Sequence, residues 1–107
     1  MLTCTLSRST IPGKKYKVTI HDSRAQTERT VHFGARGYSD YTLHRDHERM
    51  ARYTQRHRAR ENWTRSGIYT AGFWSKWILW NKPSFRTSVQ DTARRFRIRI
   101  QNRTGRV

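Results

Sequence analysis

Negative charge is scarce in this chain: 7 Asp and Glu stand against 23 Lys and Arg in 107 residues, for a formal net charge of +16. Seven scattered carboxylates leave most of the cations without a partner inside the chain. Like charges at this density repel one another and oppose the compact free state. An acidic partner removes that repulsion, whether it is a phosphate backbone, anionic lipid headgroups or a carboxylate-rich protein surface. Charge alone does not choose among the three.

Cysteine is almost missing as well. Cys4 is the only one, which excludes an intrachain disulfide and an all-cysteine zinc site, and makes a reducing compartment the simple reading. No apolar run approaches the roughly 18 residues of a membrane-spanning helix. The opening MLTCTLSRSTIPG lacks an apolar h-region and is not expected to be a signal peptide. The hydrophobic fraction is thin at 34%, so the length and composition predict one domain with one modest core. That core has to be aromatic. The chain holds 4 Trp, 5 Tyr and 4 Phe, and each such ring can bury on the order of 150–250 Å².

Residues 1–13 read as a polar N-terminal arm closed by Pro12-Gly13. Tyr16, Val18 and Ile20 then alternate with Lys15, Lys17 and Thr19, and Val31 and Phe33 alternate with Thr30 and His32. Both have the period of a half-buried strand and together predict a β-hairpin with a long loop from His21 to Thr27. Gly34 and Gly37 break the chain where a turn with positive φ is needed. Ser39 or Asp40 can cap a long helix running to about Ala59, with its acids early and its arginines late, as the helix dipole favours. Leu43, His47, Met50, Thr54 and His57 form its expected inward stripe, and Arg45, Arg49, Arg52 and Arg56 an outward ladder. Thr70 can cap a second helix, Ala71 to Trp80, stopped by Asn81-Lys82-Pro83. Ser84 can cap a third to about Phe96, with Phe85, Val89 and Ala93 or Phe96 inward. Residues 97–107 read as a basic C-terminal arm or an added strand. The expected fold is α+β in the order ββααα: a single basic domain over residues 14–96 with basic arms at both ends.

Two constellations carry the expected binding chemistry. Arginine presents a planar fork of donors to phosphate or carboxylate and stays charged in any environment. The candidates for a partner or polyanion are Arg45, Arg49, Arg52, Arg56, Arg58, Arg60, Arg94, Arg95, Arg97 and Arg99. The bland alternative is a solvated helix face with local pairs such as Glu48 to Arg52, but the acids are too few to neutralise the ladder. The second constellation is aromatic: Trp63, Phe73, Trp74, Trp77 and Trp80, read as the core or an interface, with a membrane-surface anchor and base stacking as sharper alternatives.

Catalytic patterns are missing. Gly34-Ala35-Arg36-Gly37 is too short for a P-loop and lacks its Gly-Lys-Ser/Thr end. Neither Ser66-Gly67 nor Cys4 lies in a nucleophile motif. Asp46 and Glu48 fall on different helix faces, against a metal-dependent nuclease. His44 and His47 lie three apart, but with no Cys-x-x-Cys beside them no metal site is expected. The reading is a non-enzymatic protein without cofactors. The two sequons, Asn62-Trp63-Thr64 and Asn102-Arg103-Thr104, are taken as chance matches.

Three segments carry a resemblance. They are the run from Val31 to Thr42 (VHFGARGYSDYT), the arginine-rich Arg56 to Trp63 (RHRARENW), and Thr70 to Pro83 (TAGFWSKWILWNKP). Over about residues 14–96 the chain resembles a family of small basic proteins of uncharacterised function encoded by large nucleocytoplasmic DNA viruses. The resemblance implies a virus-encoded protein of the virion or the replication site, made in the host cytoplasm or nucleus, and it supplies no catalytic residues. On that footing the expected function is a minor capsid or cement component that bridges acidic surfaces of major and other minor capsid proteins within a multi-chain assembly. Contact with an anionic inner membrane is compatible with it. The alternative is a DNA-binding protein that neutralises or packages the genome without reading bases.

Overall fold

Side-chain alternation builds a four-stranded mixed sheet at the centre of the fold, in a computed structural model that describes residues 2–107. The strands are β1 (Leu2–Arg8), β2 (Lys14–Asp22), β3 (Thr27–Ala35) and β4 (Arg99–Asn102), ordered β3-β2-β1-β4. The predicted hairpin is present, with Tyr16 opposite Phe33 and Val18 opposite Val31. Its strands extend further than expected, which shortens the loop to residues 23–26. Gly34 and Gly37 have the expected positive φ, 80° and 91°.

Residues 1–13 are not a free arm. Over its described residues this segment contains β1, an interior strand antiparallel to β2 on one side and parallel to β4 on the other. Leu2, Cys4 and Leu6 are buried between exposed or half-buried Thr3, Thr5 and Ser7. That period of two is in the sequence, but its interspersed hydroxyl residues made it read as polar. Full burial of Leu6, Val18 or Ile20 contributes roughly 1.5–3 kcal/mol each. At the other end, of the two options for residues 97–107 the added strand is the one observed. β4 extends the sheet, with Ile98 buried just before it.

The predicted long helix is two helices. Asp40 caps α1 (Tyr41–His44), its Oδ1 accepting from Thr42 N at 2.9 Å. Asp46 caps α2 (His47–His57), its Oδ1 accepting from Glu48 N at 3.0 Å and Arg49 N at 3.3 Å. Between them Arg45 adopts the left-handed region at φ 56°, and Asp46 N donates to His44 Nδ1 at 2.9 Å. A second good N-cap six residues after the first competes with helix continuation, and it prevails here. No residue of α2 is fully buried. The expected inward stripe is therefore corrected: Leu43 and His47 are exposed, and the side turned inward carries half-buried Met50, Tyr53, Thr54 and His57.

Thr70 caps α3 (Ala71–Trp74) through a bond from Phe73 N, and the helix continues as a π-type turn over Ser75–Leu79. Ser84 caps α4 (Phe85–Phe96), which buries Phe85 and Val89 as expected. α3, the π turn and α4 cover one face of the sheet, joined by ring pairs such as Phe33–Trp74 at 6.4 Å and Tyr16–Phe85 at 5.4 Å between centroids. The opposite face is polar, with Thr19 and Thr30 hydroxyls 3.1 Å apart across strands.

The two sequons have a structural use. In Asn62-Trp63-Thr64 and Asn102-Arg103-Thr104 the Asn Oδ1 accepts from the Thr N at 3.0 Å and the Thr hydroxyl at 2.6 Å. Asp40-Tyr41-Thr42 repeats the same turn. These are Asx-turns, which the short polar side chain favours over extended backbone.

Candidate polyanion interface

The exposed side of α2 carries Arg49, Arg52 and Arg56. Helical geometry spaces them by roughly 4.5 and 6 Å along the axis. The nearest carboxylate to Arg52 is Glu48 at 4.0 Å, an exposed pair of a kind worth little. Arg45 does not belong to this ladder. It occupies the left-handed link between α1 and α2, where the broken helix resets the angular register. Arg58 and Arg60 are exposed in the turn that follows α2.

The arginines of α4 are in a different state. Arg94 and Arg95 both bind Asp91, at 3.0 and 3.3 Å, and Asp91 also accepts from Asn81 Nδ2 at 2.8 Å. Burial on its own would raise the Asp91 carboxyl. The Asn81 bond and the Arg95 guanidinium outweigh it and hold Asp91 below the usual carboxylate range. The Arg95 guanidinium also lies over the Trp77 ring at 4.6 Å. Arg94 and Arg95 thus share a carboxylate. Arg97 is an exposed left-handed C-cap, and Arg99 projects from edge strand β4. The ten expected arginines therefore fall on two sets of elements: Arg45 to Arg60 on the α1–α2 link, α2 and the turn after it, and Arg94 to Arg99 on the end of α4 and the start of β4.

The aromatic set divides too. Phe73 and Trp74 are core, both 0% exposed, and Trp74 Nε1 donates to Ile68 O at 2.7 Å. Trp74 has no surface to offer a membrane or a base. Trp63, Trp77 and Trp80 lie half-buried at the edge of the core, with Trp77 Nε1 donating to Trp63 O at 2.9 Å. Lys76 sits between the Trp63 and Trp77 rings, 5.3 and 5.6 Å from their centroids. Burial, with Arg95 adding to it, lowers its pKa.

A groove of about 540 Å³ opens between α2, the start of β2, the end of β3 and α3. Lys14, Tyr38 and Tyr53 line it beside Arg49 and Arg56, and none of these three was among the expected site residues. Tyr53 was findable from spacing, since it lies three residues after Met50 and four before His57. Lys14 and Tyr38 were not, because only the hairpin brings the start of β2 next to the segment after β3. Among the described residues no group of three His, Cys, Asp or Glu side chains is placed to hold a metal ion, and no helix is long and apolar enough to cross a membrane.

Fold and surface together define a two-layer α+β protein with an aromatic core and exposed arginines on two sets of elements. Residues 4–57 match a family of unknown function, DUF5754. The match runs from β1 to the end of α2, half of the 107 residues, and the chain belongs to that family. No curated protein and no solved structure matches the chain.

Proposed function

We propose that the protein is a non-catalytic structural component of a large DNA virus particle, a minor capsid or cement protein that bridges acidic surfaces of neighbouring capsid proteins. The observation that carries the reading is the division of the cations into two groups on different elements. Arg49, Arg52, Arg56, Arg58 and Arg60 lie around α2, and Arg97 and Arg99 around the α4–β4 junction. A protein that engages one surface needs one such group, and a bridge needs two. The rest of the fold suits the role. Leu2–Arg8 and Arg99–Asn102 are both strands of the sheet, so the two groups are held on one frame rather than on loose arms. The viral setting comes from the sequence resemblance.

Graded disassembly of particles tests this reading. The protein is expected to leave with the shell fraction, and charge reversal of Arg49, Arg52 and Arg56 to Glu is expected to abolish its incorporation. Retention on the genome after the shell is stripped would overturn the bridge in favour of genome packaging by the same side chains. In that role affinity for DNA would fall steeply with salt, by an amount set by the number of phosphates contacted.

A further inference from the structure

The groove beside α2 holds chemistry that a bridge between carboxylate surfaces does not use. Its floor is a stack of three rings. Tyr53 lies 4.2 Å from Trp80 at an interplanar angle of 2°, and 4.0 Å from His57 at 22°. Both faces of Tyr53 are therefore filled. Burial, with Glu61 adding to it, pushes its hydroxyl up to about 12, so it remains a neutral phenol. At the rim, Tyr38 is 74% exposed and lies on the same groove as Lys14, Arg49 and Arg56. Lys15 is committed to Asp40 at 2.6 Å. Among the described residues, no carboxylate lies within ion-pair distance of Lys14, Arg49 or Arg56.

Glu61 gives the groove a polarity. Its carboxylate packs on Gly72, where a Cβ would come within 1.7 Å of Oε2. The glycine is therefore what lets this acid enter the groove wall. A bound phosphate is repelled from Glu61 and drawn to the three cations, while a hydroxyl or exocyclic amine is attracted to it. The volume falls in the range of small-ligand sites, roughly 300–1,000 Å³.

We propose that this groove is a nucleoside-phosphate site, in which Lys14, Arg49 and Arg56 take the phosphate and Tyr38 stacks on the base. Free cations beside an unstacked aromatic ring are the pairing that recognises a nucleotide, because the charge holds the backbone and the ring holds the π-face of any base. A protein carboxylate or an inorganic anion would use the cations alone. The proposal shares Arg49 and Arg56 with the bridging role but does not rest on it, and Tyr38, which the bridge does not use, separates the two.

Calorimetric titration of the full chain with ATP, tripolyphosphate and a short oligo-dT strand tests it. ATP is expected to bind at least tenfold more tightly than tripolyphosphate, as stacking of one base allows. Tyr38→Ala is expected to erase that advantage while leaving tripolyphosphate binding intact. Arg56→Gln is expected to weaken both about tenfold, and Arg24→Gln, exposed in the loop between β2 and β3 and outside the groove, to change neither. Much tighter binding of oligo-dT than of ATP, weakened by Tyr38→Ala, would identify the ligand as a nucleotide within a strand, and equal or weaker binding as a free nucleotide. Equal binding of ATP and tripolyphosphate, or equal losses from Arg56→Gln and Arg24→Gln, would overturn the proposal. The bridging role would be untouched by either result.

Discussion

The guanidinium of Arg106 donates to the hydroxyl of Thr42 at 3.1 Å, joining residues 64 positions apart. The same Nη1 donates to Tyr16 OH at 3.1 Å, and the guanidinium lies over the Phe85 ring at 4.5 Å. Thr42 in turn donates to Asp40 Oδ1 at 2.5 Å, and Asp40 Oδ2 accepts from Lys15. One polar chain thus runs from the C-terminal segment through the cap of α1 to β2. It compensates the burial of Asp40, which is 1% exposed; a buried carboxylate with fewer partners would be strongly destabilising.

Arg106→Ala should therefore destabilise the whole fold rather than fray one end. Losing charge-assisted bonds of this kind costs about 1.5–3 kcal/mol, and each kcal/mol lowers the melting temperature of a domain near this size by about 4–8 °C. A thermal melt checks this. A change below about 2 °C would mean that the C-terminal segment is an ornament on an independently stable core.

Asp91 makes stability depend on pH in a definite direction. Its folded pKa is lowered, so its contribution is fully present above the ordinary carboxylate range and is lost as pH falls through the folded value. Asp91→Asn is expected to cost about 2 kcal/mol at pH 7, with the gap from the unaltered protein closing at strongly acid pH. Urea unfolding at pH 7 and pH 3 measures both. A gap independent of pH would show that the Arg94 and Arg95 pairs add nothing beyond packing.

Arg45 tests the break between α1 and α2. A side chain in the left-handed region costs roughly 1–2 kcal/mol, so Arg45→Gly should stabilise the protein by about 1 kcal/mol. In a continuous helix the same change would destabilise by about that amount. Chemical denaturation gives the sign, and a loss of stability would restore the single long helix.

Cys4 is buried in β1, where burial pushes its thiol up to about 12 against a smaller lowering by Arg65. It is expected to resist thiol-specific reagents in the native protein at pH 8 and to react only at the rate of unfolding. Rapid labelling of the folded chain would mean that β1 opens readily.

What could be read from the sequence was local. Alternation placed Tyr16, Val18, Ile20, Val31 and Phe33 on one face, because side chains of a strand point to alternate sides whatever the strand pairs with. Thr70 and Ser84 announced the helices they cap, and Asn81-Lys82-Pro83 the end of one, because caps and proline act within a turn. The Asx-turns at Asn62 and Asn102 are equally local, and the same three-residue pattern matches the glycosylation sequon. The pairing of β1 with both β2 and β4 was not legible. Parallel neighbours separated by most of the chain leave no mark at either segment. The candidate site followed the same division. Composition by itself determined that this chain carries a large uncompensated positive charge, since net charge is a sum and needs no geometry. Only the tertiary structure decided which cations are uncompensated, because Coulomb interactions depend on distance. Folding set Asp91 under Arg94 and Arg95, sent Lys15 to Asp40, and left Lys14, Arg49 and Arg56 around one groove with no carboxylate in ion-pair distance among the described residues.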